Sequence, residues 1–133
     1  MNQIDPMGSE VTSRLIGLAL DAAVARHAAI ASNIANVDTQ DYRPLMAKFD
    51  QLVDELRGRI ADRTMDANTE ARIRSLQETL SNGAVTPDST ASKVELDMQM
   101  ASLTKNLVQY QALLVAGSKL MAMSHLVITE GKV

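Results

Sequence analysis

Apolar residues recur in steps of four and three at both ends of this chain, and that spacing limits most of what it can fold into. Near the C-terminus the run is Leu96, Met100, Leu103, Leu107, Tyr110, Leu114, Gly117 and Met121. Near the N-terminus it is Ile16, Leu20, Ala23, His27, Ile30, Ile34 and Val37. Side chains spaced in this way line one face of an α-helix and form the seam of a coiled-coil-like pair. Hydrophobic residues make up 46% of the chain but aromatics only 2%, with one Phe, two Tyr and no Trp. Leu, Ile, Val, Met and Ala must therefore do the packing, which suits helices better than a sandwich of strands. The expected fold is all-α. Long N- and C-terminal heptad helices pair as a coiled-coil-like bundle, with a loop-rich middle segment between them.

The boundaries follow from caps and breakers. The 133 residues suit a single domain. Residues 1–9, with Asp5-Pro6 and Gly8, read as a disordered lead-in. The first helix is expected over 10–36, roughly 40 Å long. Asn, Asp and Thr crowd the following turn, and Arg43-Pro44 does not continue a helix. Residues 37–91 form the middle segment, with helical patterns at Phe49, Leu52, Val53, Leu56, Ile60 and at Ile73, Leu76, Leu80, and turn signals at Asn82-Gly83 and Thr86-Pro87. Ser92 and Glu95 have capping-box spacing and open a last helix over 92–128. A second stripe on that helix, Val94, Met98, Val108, Leu113, Val115 and Leu120, gives it more apolar surface than one partner covers. The chain should be better satisfied in an assembly than alone.

Several classes of function find no support in the residues. The net charge is −3, without the basic footprint of a nucleic-acid binder. There is no cysteine, hence no disulfide and no thiolate metal site. His27 and His125 lie far apart in sequence and share no ligand spacing. No Gly-rich phosphate loop or triad-like set is present. No catalytic, cofactor-binding or metal residues are assigned, no small-molecule substrate is expected, and the chain is read as a non-enzyme. The opening residues lack the basic and apolar regions of a cleaved signal peptide, and no uninterrupted apolar run reaches the roughly 20 residues of a membrane span.

The most informative segment is Ala31 to Arg43. Asn33 and Asn36 lie three apart on one helix face, and their amides donate and accept at once, so they can tie loop backbone to the helix end. Thr39 can close a local side-chain-to-backbone turn, and Tyr42 can bury its ring beside the helix while its hydroxyl stays in water. Asn33, Ile34, Ala35, Asn36, Thr39 and Tyr42 match the pattern S-x-N-I-A-N-x-x-T-x-G-Y/F. This segment resembles the N-terminal signature of the flagellar axial proteins, the family of rod, hook and hook-associated subunits. That family usually carries Pro-Gly before the aromatic, where this chain has Gln40-Asp41. Glycine supplies a positive φ at little cost and Asp at more.

The C-terminal half narrows the resemblance. Val94 to Met100, then Asn106 and Tyr110-Gln111, are similar to the proximal rod proteins, whose pattern is about V-D-x-D-x-E-M followed by N-x-x-x-Y-Q. The likeness spans roughly residues 11–50 and 86–123. It implies a structural subunit of the bacterial flagellar basal body, in the rod that crosses the periplasm. The partners it implies are other rod proteins, copies of the chain itself, the membrane (MS) ring and the export gate. It also implies exit through the flagellar type III apparatus. The residues expected at the assembly interface are Ile16, Leu20, Ile30, Ile34, Leu96, Met100, Leu103, Leu107, Tyr110, Leu114 and Met121. Two alternatives stay open: another rod subunit of the same axial family, and a soluble helical adaptor holding a partner in an apolar groove.

Overall fold

A computed structural model of the chain describes residues 6–62 and 66–130. Two long terminal helices are present as the heptad spacing predicts: α1, Pro6–Ala35, and α4, Leu96–Glu130. They run antiparallel. Ile16 of α1 faces Gly117 of α4, at 3.5 Å from where a Cβ would stand. The carbonyl of Ala23 accepts a hydrogen bond from Asn106 at 2.8 Å, and Asn33 bonds Gln99 at 3.1 Å.

Both helices start elsewhere than the sequence suggested. Helix α1 begins at Pro6, not at residue 10, so residues 6–9 are helix and not lead-in. Proline at a first helical position loses only an N–H that has no intrahelical partner, and its fixed φ suits the helix. The lead-in expected at residues 1–5 lies outside the described residues. Helix α4 begins at Leu96, four residues after Ser92. Glu95 occupies the cap position, since its carbonyl accepts the Gln99 N–H at 3.0 Å. The chain ahead of it is committed to other contacts: Val94 is buried, and the Asp88 N–H donates to the Pro44 carbonyl at 2.7 Å. Asp97 in the first turn complements the positive end of the helix dipole.

The middle segment is more ordered than a loop-rich reading implies. It contains α2, Asp50–Ala61, and α3, Ala67–Ser81, at the two helical patterns. Two short strands flank them, β1, Leu45–Ala47, and β2, Val85–Pro87. They pair antiparallel with Leu45 opposite Pro87, Met46 opposite Thr86 and Ala47 opposite Val85. Asp66 caps α3 by accepting the Thr69 N–H at 2.9 Å, and the Thr69 hydroxyl answers the Asp66 N–H in a capping box. After α3, Gly83 takes φ +100°, a turn conformation glycine adopts without strain.

Phe49, the single phenylalanine, is fully buried at the centre of the core. Around it stand Leu15, Leu18 and Ala22 of α1, Leu56 of α2, Ile73 and Leu76 of α3, and Ala84. This core lies between α1 and the middle segment. Helix α1 is therefore packed on two sides, by the core on one and by α4 on the other. Within Glu10–Ala35 an 18-residue stretch has a mean hydropathy of 1.4, long and apolar enough by composition to cross a membrane. Only 28% of that stretch is buried, and Arg26 and Asn33 within the helix are engaged in polar contacts.

Candidate assembly site: an asparagine clasp and an open helix face

Asn33 is 1% exposed and makes four hydrogen bonds. Its Nδ2 donates to the Leu45 carbonyl at 3.0 Å and to Gln99 Oε1 at 3.1 Å. Its Oδ1 accepts from the Leu45 N–H at 2.7 Å and from the Tyr42 hydroxyl at 3.0 Å. A primary amide has two donor hydrogens and two acceptor lone pairs, so its capacity is filled. The partners come from β1, the turn before it and α4, so one side chain fastens three parts of the fold.

Asn36 works locally. Its Nδ2 donates to the Ser32 carbonyl at 2.9 Å, and its Oδ1 accepts from the Thr39 hydroxyl at 3.0 Å. The Ser32 and Tyr42 hydroxyls bond each other at 2.9 Å. Thr39 to Tyr42 form a β-turn, closed by the Tyr42 N–H to the Thr39 carbonyl at 3.3 Å. Asp41, the third residue of that turn, takes φ +60°. A positive φ at this position is the type II geometry, for which Pro then Gly are the preferred central residues. Asn33, Asn36, Thr39 and Tyr42 thus form one network. Ile34 and Ala35 stand outside it, Ile34 half-buried and Ala35 exposed.

The expected interface residues divide into two groups. Ile30 is buried within the chain, and Ile16, Leu20, Ile34, Leu103 and Tyr110 are half-buried. Leu96, Met100, Leu107, Leu114 and Met121 are exposed, by 43% to 74%. Helix α4 does not turn its most apolar seam towards α1. It turns Gln99, Leu103, Asn106, Tyr110, Leu113, Gly117 and Leu120, which keep the same spacing one flank round. The cause is polar and steric. Asn106 and Gln99 have partners on α1, and Gly117 admits Ile16. Of the second stripe, Val94 is buried, Leu113 and Leu120 are half-buried, and Met98, Val108 and Val115 are exposed.

Asn106 and the groove beside it escaped the sequence reading of the seam. Asn106 is 4% exposed, and its Oδ1 has no hydrogen-bond partner among the described residues. The available signal was its position, three residues from Leu103 and four from Tyr110. Beside it α1, α2, α3 and α4 enclose an apolar groove of about 650 Å³, floored by Leu15 and Ile16 and walled by Leu56, Leu76, Ala112 and Ala116. Arg26 stands at one end, over the Phe49 ring at 5.2 Å and paired with Asp50. Asp66 and Asp88 have carboxyls held below the usual carboxylate range. For Asp66 the largest cause is the Thr69 N–H, and for Asp88 it is the Thr90 hydroxyl. Both belong to turns and caps. Among the described residues no group of three or more His, Cys, Asp or Glu is placed to hold a metal ion.

No protein-family model matches the chain, and no solved structure matches it. A curated protein does: the flagellar basal body rod protein FlgB of Bacillus subtilis (strain 168). It is 30% identical over 101 residues, covering 71% of this chain and 75% of that protein.

Proposed function

The chain belongs to the flagellar basal body rod protein family, and from that premise we propose that it is a structural subunit of the proximal rod. It assembles through its terminal helices and connects the membrane ring and export gate to the rest of the rod. It lies in the periplasm, leaves the cytoplasm by the flagellar type III apparatus without a cleaved signal peptide, and contacts other rod proteins and copies of itself. No catalytic step is part of this role.

The observation that carries the reading is the open face of α4. Leu96, Met100, Leu107, Leu114 and Met121 form a continuous stripe on a helix whose other face already holds α1. Contiguous apolar surface of this kind marks an interaction site. Leu107→Asp separates folding from assembly. Leu107 is 45% exposed, so the isolated chain should keep its stability to within about 0.5 kcal/mol, while a charge in a subunit contact blocks packing. In cells lacking the wild-type gene, electron microscopy of basal bodies should show rods restored by the wild-type chain and not by Leu107→Asp. Rods and swimming restored equally by both would refute the open stripe as an assembly surface.

The groove of about 650 Å³ favours a second reading, a soluble adaptor that holds a partner helix there. That reading requires the chain to stay in the cytoplasm and basal bodies to form without it.

A further inference from the structure

We propose that the methionines of α4 are oxidation sites, at which hydrogen peroxide forms sulfoxides that leave the free chain folded and bar it from assembly. The assembly part rests on the rod-subunit reading; the oxidation itself does not.

Methionine commonly fills gaps in a core, and in this chain it sits elsewhere. Among the described residues no methionine side chain lies in the core, which Leu, Ile, Ala and Phe49 fill. Met46 of β1 is 45% exposed, and Met98, Met100, Met121 and Met123 of α4 are exposed by 49% to 74%. At about 100° per residue, Met98 and Met123 fall within about 20° of each other round the helix. Met100 and Met121 fall within about 60° of each other on the opposite flank. Each flank of α4 beside its contact with α1 therefore carries two thioethers open to solvent. The chain has no cysteine, so no thiol of its own competes for a peroxide.

The step balances without a further reactant. A sulfur lone pair attacks one peroxide oxygen, the O–O bond breaks, an S–O bond forms and water leaves. The thioether is oxidised by two electrons and the peroxide is reduced by two. The product is polar where the thioether was apolar. In the free chain the new oxygen stays in water, and the core around Phe49 is untouched. In a subunit contact the same oxygen must leave water for apolar neighbours, which is unfavourable unless a donor meets it. A thiol-dependent sulfoxide reductase reverses the step, two thiols becoming a disulfide and water.

The test compares the full chain with a variant carrying Met98→Leu, Met100→Leu, Met121→Leu and Met123→Leu, which keeps volume and apolarity without a thioether. Both are treated with dilute hydrogen peroxide beside free N-acetylmethionine, and the products are mapped by peptide mass spectrometry. Each α4 methionine should gain one oxygen at a rate close to that of the free compound. The treated chain and the treated variant should melt within about 2 °C of each other. Methionines of α4 that stay reduced while the free compound is consumed would overturn the proposal, and so would a wider gap in melting temperature. In cells lacking the wild-type gene and exposed to peroxide, electron microscopy should count fewer rods with the wild-type chain than with the four-leucine variant. Met100→Gln with Met121→Gln, polar stand-ins for the sulfoxide, should fold and give no rods without any peroxide. Rods formed by that variant, or equal counts under peroxide with the wild-type methionines oxidised, would overturn the block on assembly and leave the rod-subunit reading in place. Absence of the chain from purified basal bodies would instead overturn that reading.

Discussion

Replacing Asn33 by Ala removes four hydrogen bonds and leaves the Leu45 N–H and carbonyl without their partner. Stranded buried groups cost about 1–3 kcal/mol each. We expect Asn33→Ala to lose about 3 kcal/mol in urea unfolding, more than Asn36→Ala, whose partners are local and partly hydrated. Asp41 bears on the same network in the opposite sense. It holds φ +60° where glycine costs less, so Asp41→Gly should raise stability by up to about 1 kcal/mol. A fall in the unfolding midpoint would show that the Asp41 side chain contributes something the turn geometry does not require. That Asn33 and Asn36 hydrogen-bond at the helix end was legible in the sequence, because their spacing and donor–acceptor chemistry suit that place. The reach of Asn33 to Gln99 was not. Nothing in the local pattern specifies a contact between residues 66 apart.

Among the elements, α4 shows where pattern reading stops. Its heptad period was legible and its phase was not. Periodicity ranks faces by apolarity, whereas this helix is oriented by Asn106, Gln99 and the space at Gly117, so the more apolar stripe is left outward. The strands β1 and β2 went unread because three residues are too few to show alternation. Gly117 gives a direct test of the phase. A Cβ there meets Ile16 Cγ2 at 3.5 Å, an ordinary contact. Gly117→Ala should gain about 0.5–1 kcal/mol from helix propensity, while Gly117→Leu should push α4 from α1 and lower the melting temperature. Helix α3 carries a pH dependence. The Asp66 carboxyl titrates below its ordinary 3.8, chiefly because the Thr69 N–H donates to its charged form. A depressed folded-state pKa means that its stabilisation is complete above the unfolded value and is lost as pH falls through the folded one. Protection of the Thr69 and Glu70 amides, relative to their intrinsic exchange at each pH, should therefore fall below about pH 4, and in Asp66→Asn it should be alike on both sides of that range.

At the scale of the whole molecule, packing is uneven. The core around Phe49, Ile73 and Leu76 is enclosed, whereas α4 packs chiefly on α1. In the isolated chain, amide exchange should be slowest in α1 and α3 and fastest in the distal half of α4, where Met121, Met123, Leu126 and Ile128 are more than half exposed. On assembly that half should slow most. Unchanged rates there in assembled rods would place the contact on another surface.

The bond from Asn33 to Gln99 also closes a loop of 66 residues without a covalent link. A disulfide at that place would remove about 4 kcal/mol of freedom from the unfolded chain. The amide leaves the unfolded chain unrestricted, so all of its stabilising effect resides in the folded form. Once opened, the chain is a plain linear thread with no crosslink to cut. It can be drawn out end first and can close again without an oxidant or an isomerase.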